Sequence, residues 1–146
     1  MLAMSDLQLD WTHDFIQTLF PLTERSEHEP NAPILTPTDV SLLRASPEAR
    51  RRMLTALVRM SNFFGAPPFA DPEHVGMPPF WALQSSNHNH KRITRMIKSL
   101  RLFGMEQEAR EFYAGICAVA DAVGPMSEDG GVTPLTRTFW KDALEG

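Results

Sequence analysis

The chain has 146 residues, of which 42% are apolar and 22% are charged, and its formal net charge is −4 at pH 7. This length favours one domain, residues 1–146, with a core large enough to need no disulfide or structural metal. The negative net charge argues against a protein that binds nucleic acid through its overall charge. The lone cysteine, Cys117, excludes an intramolecular disulfide and a multi-cysteine zinc site.

The N-terminal stretch "MLAMSDLQLD" lacks the basic start and the long apolar core of a signal peptide. No apolar run approaches the ~20 residues that a membrane-spanning helix requires. The sequence therefore predicts an intracellular, cytoplasmic protein without a membrane span.

Apolar residues recur at helical spacing along the chain, and sustained alternation of apolar and polar residues is absent. This pattern predicts an all-α fold, a single compact bundle-like domain of five to six helices with a long proline-rich loop. The first helix is predicted in "THDFIQTLFP", with Thr12 as its N-cap and Pro21 as its stop.

The stretch "TPTDVSLLRASPEARRRMLTALVRMSNFFGAPP" carries two helix-start signals, each a hydroxyl residue followed by proline, at Thr36 and Ser46. They predict a short helix that ends near Ala45 and a longer helix that runs to Phe64. Gly65 is placed where a left-handed residue commonly ends a helix.

Five prolines in "GAPPFADPEHVGMPPFWALQ" predict a long loop instead of a helix. Its large apolar side chains would be costly if all were exposed, so we expect them to pin the loop against the core. These side chains are Phe69, Met77, Phe80 and Trp81.

A helix over 90–103 follows the stretch "SSNHNH". At about 100° per residue, one face carries the predicted core residues Ile93, Met96, Ile97, Leu100 and Phe103. The opposite, basic face carries Lys91, Arg95, Lys98 and Arg101, with Arg92 at the boundary. Either Asn87 or Asn89 is expected to cap the start of this helix.

Two further helices complete the predicted fold. The stretch "MEQEAREFYAGICAVADAVG" carries few charges after Glu111, so its second half is expected to lie in the core. Thr133 and Pro134 open the last helix. Its apolar residues are Leu135, Phe139, Trp140, Ala143 and Leu144.

The two histidines of "NHNH" are a weak metal signal. On a helix, His88 and His90 would point about 200° apart, and on an extended segment they would share a face. No Asp or Glu lies between His74 and Met105 to complete a ligand set. No glycine-rich phosphate loop or hydrolase motif is present either. We therefore predict no metal, no cofactor and no catalytic residues.

The basic face leaves two interpretations open. Its cations follow a stretch without acids, so they suit contacts with nucleic-acid phosphates. The alternative is a solvated face whose cations pair with acids such as Glu106, Glu108 and Glu111.

Four stretches, "THDFIQTLFPL", "RMSNFFG", "HNHKRITRMIKSL" and "LFGMEQEAREFY", together resemble, in order, the conserved N-terminal domain of the opioid growth factor receptor family. The resemblance covers about residues 11–144. It includes His88, Asn89, Arg92 and Arg95, whereas His90 is not part of the family pattern. The compact form is similar to the microbial members, without the C-terminal extensions of the animal proteins.

The resemblance implies a receptor-like module. The animal members are described as receptors for the opioid peptide Met-enkephalin that are associated with the nucleus and restrain cell growth. The resemblance offers no catalytic residues to carry over. We therefore expect a non-enzymatic module that binds a peptide or a partner protein, with a nucleic-acid-associated protein as the alternative. The expected ligand-binding residues are Trp81, His88, Asn89, Arg92 and Arg95.

Overall fold

The computed structural model describes residues 4–12, 15–26, 31–75, 83, 87–123 and 131–146, without the side chains of residues 7, 10, 11, 87 and 88. Apart from an isolated bridge between Leu22 and Ile34, the regular elements in these ranges are helices, and the all-α prediction is confirmed. The helices are α1 (Asp6–Trp11), α2 (Ile16–Leu19), α3 (Pro37–Arg44), α4 (Pro47–Phe64), α5 (Asn87–Leu102), α6 (Glu106–Val123) and α7 (Pro134–Glu145).

The predicted first helix is wrong in its extent. Ser5 caps α1 through a capping box, in which its hydroxyl accepts from Gln8 N and its own N–H donates to the Gln8 side chain. Thr12 is the C-cap of α1 instead of an N-cap. The helix expected there is the single turn α2, which places Phe15, Ile16 and Phe20 in the core.

The next two helices begin and end where the sequence predicts. The Thr36 hydroxyl accepts from Asp39 N and the Asp39 carboxylate accepts from Thr36 N, which closes a capping box at α3. Ser46 caps α4, and Gly65, with φ of 68°, ends it. No residue of α3 is buried, whereas α4 buries seven, so α3 lies on the outside of the domain.

Helix α5 lies at the centre of the described core and packs against α6 and α7. The predicted apolar face is confirmed, because Ile93, Met96, Ile97 and Leu100 are fully buried. The helix begins at Asn87, so both asparagines lie inside it and the prediction that one of them is its N-cap is wrong. After α5, Gly104 takes φ of 78°, the left-handed conformation expected of a residue just past a helix.

The described part of the proline-rich stretch comprises 65–75 and Leu83, and Pro67 within it lies against α6. A Cβ added to Gly115 would stand 1.6 Å from the carbonyl oxygen of Pro67, so only glycine permits this approach of loop and helix. Ala66 and Ala70 are buried, and Phe69 packs against the core as predicted. The predicted anchors Met77, Phe80 and Trp81 lie outside the described residues.

Helix α7 packs against both α5 and α6. Trp140 and Ala143 are its buried residues, and the Trp140 indole Nε1 donates a hydrogen bond of 3.0 Å to the His90 carbonyl. Two other apolar residues of this helix, Leu135 and Phe139, are 64% and 55% exposed. Within the described part of the chain, no helix combines the length and apolarity needed to cross a membrane.

Candidate functional site

Arg92 is a buried cation that ties α5 to the N-terminal segment. It is 4% exposed, and its guanidinium donates to the carbonyls of Leu9 and Thr12 and to the Asn89 side-chain oxygen. Its Cζ atom also lies 5.1 Å from the centre of the Phe15 ring. A guanidinium has five N–H donors in a rigid plane, which is why arginine can hold several carbonyls at once.

The next turns of α5 also bind the N-terminal segment, and we call this row of contacts from Asn89, Arg92, Arg95 and Ser99 the seam. Arg95 Nε donates 2.8 Å to the Phe20 carbonyl, and the Ser99 hydroxyl donates 2.8 Å to the Pro21 carbonyl. Burial lowers the pKa of Arg95, and the charge of Glu24 opposes this shift. The ordinary pKa of arginine is too high for the side chain to become neutral near pH 7. These side chains satisfy backbone carbonyls at and beyond the end of α2, where no further helical turn supplies donors.

Of the five residues expected to bind a ligand, three lie together and face the interior of the protein. Asn89 and Arg92 are buried and hydrogen-bonded to each other, and Arg95 is half-buried on the same seam. Trp81 and the side chain of His88 lie outside the described residues. The ligand role of Trp81 and His88 stays a prediction. The described contacts of Asn89, Arg92 and Arg95 are contacts within the protein that hold the seam together.

His90 is packed inside the protein, although it is not part of the family pattern. It is 6% exposed, its Nε2 lies 2.8 Å from the Leu83 carbonyl, and its ring meets the Trp140 ring edge to face at 5.9 Å. Its Nδ1 has no hydrogen-bond partner among the described residues. Desolvation lowers the pKa of His90, so the ring is neutral at pH 7 and Nε2 carries the proton donated to Leu83.

The basic face of α5 is largely engaged within the protein. Lys98 lies 3.4 Å from the Glu24 carboxylate, and Arg101 lies 3.2 Å from Glu106 while donating to the Ala143 carbonyl. The predicted pairing with Glu106 is therefore confirmed. Glu108 pairs instead with Arg50 of α4, at 2.9 Å.

An open groove of about 520 Å³ runs between α5 and α7. Its walls repeat at helical spacing, so each helix presents one face to the groove. The α5 wall is Thr94, Lys98, Arg101 and Leu102; the α7 wall is Phe139, Asp142, Ala143 and Gly146. The segment Leu22–Glu24, with Arg44 and Glu106, completes the lining.

Sequence reasoning missed this groove, although one signal was present. At about 100° per residue, the five apolar residues of α7 spread over half of its circumference, from Leu135 to Leu144. A short helix on the surface of a domain buries a narrower stripe, so part of that apolar set had to remain exposed. The exposed part is Phe139, which stands in the groove, and Leu135 one turn before it.

One group of potential metal ligands lies elsewhere, on the loop after α4. The ligand atoms of Asp71, Glu73 and His74 lie within 4.8 Å of one another, and Asp71 and Glu73 are exposed. Asn62 accounts for the position of Asp71, since it accepts from Asp71 N and donates to the Asp71 carboxylate. These hydrogen bonds explain the group as a surface turn that is capped by Asn62.

Comparison with known proteins places the chain in a family. Residues 5–114 match the family described as "Opioid growth factor receptor (OGFr) conserved region". This match covers more than half of the chain. The chain belongs to the opioid growth factor receptor family. The resemblance expected from the four sequence stretches is thereby confirmed.

Several curated relatives carry the family name. The chain is 35% identical over 106 residues to the opioid growth factor receptor of Mus musculus, which covers 67% of this chain and 16% of that protein. It is 36% identical over 104 residues to opioid growth factor receptor-like protein 1 of Mus musculus, covering 68% and 22%. The Homo sapiens receptor is 30% identical over 120 residues, covering 70% and 17%. No solved structure matches the chain significantly.

The matched region and the fold differ in extent. The family match ends at residue 114, inside α6, whereas Trp140 and the groove wall formed by α7 lie beyond it. The chain spans less than a quarter of the length of these relatives. Arg92, Arg95 and the seam they form lie inside the matched region.

Proposed function

We propose that this chain is a non-enzymatic, receptor-like module that binds a peptide, or a peptide segment of a partner protein, in the groove between α5 and α7. The observation that carries the proposal is Phe139, which is 55% exposed and lies on a concave surface that also contains Leu22 and Leu102. Exposed aromatic side chains in concave surfaces are the usual anchors of binding sites.

The groove suits a peptide better than the seam does. Asn89 and Arg92 are buried and engaged with protein atoms, so a ligand would have to displace hydrogen bonds to reach them. The groove is open, and its paired helical walls are the geometry in which proteins hold extended or helical peptide segments. The name of the relatives, opioid growth factor receptor, supports a peptide as the ligand class.

A titration of the ¹⁵N-labelled protein with Met-enkephalin tests this function. We expect amide shifts confined to 94–102 and 139–146, the two walls of the groove. Phe139→Ala should weaken binding by roughly tenfold, because the peptide loses on the order of 1.5 kcal/mol of apolar burial. Leu42→Ala is the matched control, since Leu42 is 67% exposed on α3 and lies outside the groove.

Two results would argue against the proposal. One is the absence of amide shifts at millimolar peptide. The other is an equal loss of affinity in the Phe139 and Leu42 variants, because that would not single out the groove.

Nucleic-acid association is the alternative function, and the contacts of the basic face weigh against it. Lys98 and Arg101 already lie beside Glu24 and Glu106, and Arg95 is held by backbone carbonyls. A cation that is already paired gains less from a phosphate, so we expect weak binding to DNA or RNA. Steep salt dependence, reduced by Lys98→Ala, would instead support the alternative.

A further inference from the structure

Of the charged side chains that line the α5–α7 groove, two have no charged partner among the described residues. Lys98 pairs with Glu24, and Arg101 pairs with Glu106. Arg44 and Asp142 line the same groove, and neither side chain has an ion pair or a hydrogen bond among the described residues. The groove therefore offers one spare cation and one spare carboxylate, on α3 and α7.

Arg44 is held in place without a carboxylate. Its Nε lies 3.1 Å and its Nη2 lies 3.3 Å from where a Cβ on Gly104 would stand, so the guanidinium lies against the glycine that follows α5. The carboxyl end of a helix carries partial negative charge and attracts a cation, which explains this position. A guanidinium held by its edge and by packing keeps N–H donors for a carboxylate, the group whose geometry it matches best.

Asp142 stands three residues after Phe139, on the same face of α7. A carboxylate next to an exposed aromatic ring attracts an ammonium group in two ways, through the charge pair and through the negative face of the ring. The two spare charges thus prefer opposite partners, a carboxylate at Arg44 and an ammonium at Asp142.

We propose that the groove selects short peptides with free termini, with Arg44 binding the terminal carboxylate and Asp142, next to Phe139, binding the terminal ammonium. This inference rests on the proposed function and adds the residues that determine specificity. The volume of about 520 Å³ is that of a site for a small ligand, for which the usual range is roughly 300–1,000 Å³. The apolar residues Leu22 and Leu102 then contact the side chains between the two ends.

Calorimetric titration with three forms of Met-enkephalin tests the proposal: the free peptide, its C-terminal amide and its N-acetyl derivative. For the unaltered protein, we expect each blocking group to weaken binding by roughly tenfold, the value of one charge-assisted hydrogen bond. Arg44→Met should bind the free and amidated peptides equally. Asp142→Asn should bind the free and acetylated peptides equally.

Arg51→Met is the matched control, because Arg51 is an exposed arginine on α4 that does not line the groove. It should retain both preferences. A doubly blocked peptide with an internal lysine and glutamate supplies the same charges from side chains, and we expect it to bind at least tenfold more weakly than the free peptide.

Each outcome decides between the two proposals. If blocked and free peptides bind within twofold of each other, or if Arg44→Met retains the preference for a free carboxylate, recognition of the termini is overturned while the groove stands. Equal binding of the internally charged peptide overturns it as well. If no form binds, the proposed function fails together with this inference.

Discussion

Arg92 shows how a single buried cation can organise the start of this fold. It reaches from α5 to the carbonyls of Leu9 and Thr12, at the end of α1, where the next helix has not yet begun. On the helix wheel Arg92 lies at the boundary between the core face and the basic face. Its carbonyl partners lie about eighty residues away in sequence, and no local pattern in the sequence identifies them.

Arg92→Met should lower the free energy of unfolding by roughly 3 kcal/mol or more, because it leaves buried carbonyls without a donor. Urea denaturation followed by circular dichroism measures this loss. Arg51→Met, which removes an exposed arginine, should change the free energy by less than about 0.5 kcal/mol. Similar midpoints for the two variants would show that the seam contributes little to stability.

His90 gives the protein a pH-dependent stability. Burial lowers its pKa below the ordinary value of 6.5, so the unfolded chain takes up a proton at a higher pH than the folded chain does. The stability that comes from the neutral ring is complete above about pH 6.5 and is lost as the pH falls toward the lower folded pKa. Asp39, whose pKa is lowered from 3.8 by the hydrogen bonds from Thr36, acts in a more acidic range.

His90→Gln should therefore flatten the decline in unfolding midpoint between pH 7.5 and pH 5, since glutamine can donate to the Leu83 carbonyl but does not titrate. Urea midpoints across this pH range provide the measurement. An unchanged slope in His90→Gln would assign the pH dependence to other groups.

At the scale of elements, local signals predicted α3, α4 and the core face of α5, whereas contacts between distant elements decided what the sequence missed. Thr36 and Ser46 cap helices through their own neighbours, so their role can be read directly from the sequence. Thr12 resembles them in sequence, but the capping box of Ser5 begins a helix earlier and Thr12 ends it.

The candidate site likewise has one part that the sequence predicted and one part that it did not. The family pattern brought together Asn89, Arg92 and Arg95, and the structure places them on one seam. The groove depends on how α7 lies against α5, which only the tertiary packing determines. Phe139 is one of five apolar residues of α7, and the sequence alone does not indicate which of the five lie outside the buried stripe.

The contact between α6 and the loop that follows α4 predicts a mutational effect of opposite sign to the usual one. In an exposed helix position, Gly→Ala stabilises by up to about 1 kcal/mol, through helix propensity. Gly115→Ala should instead destabilise by roughly 1–3 kcal/mol, because its methyl group would overlap the Pro67 carbonyl and force the loop away. Thermal unfolding distinguishes the two signs.

Ala114→Ser serves as the control for Gly115→Ala, since Ala114 is the exposed neighbour on the same helix. It should shift the midpoint only slightly, by the small difference in helix propensity. A higher midpoint for Gly115→Ala than for the unaltered protein would contradict the close approach of loop and helix.

At the scale of the whole molecule, the fold extends beyond the part that the family match covers. The match ends at residue 114, inside α6, yet α5 packs against both α6 and α7. Trp140 is fully buried, contacts the His90 ring and donates to the His90 carbonyl. The family core therefore depends on a helix that lies outside the matched region.

A chain shortened to residues 1–132, which lacks α7, should lose cooperative unfolding, because one side of α5 becomes exposed to solvent. Trp140→Ala should keep the cooperative transition but lower the free energy of unfolding by about 3–5 kcal/mol, the usual cost of removing a large buried aromatic. Lys141→Ala, at the exposed neighbouring position, should change it little. If the shortened chain unfolds cooperatively at the same midpoint as the full-length chain, α7 does not stabilise the family core. Removing α7 would then remove one wall of the groove without lowering the stability of the rest of the fold.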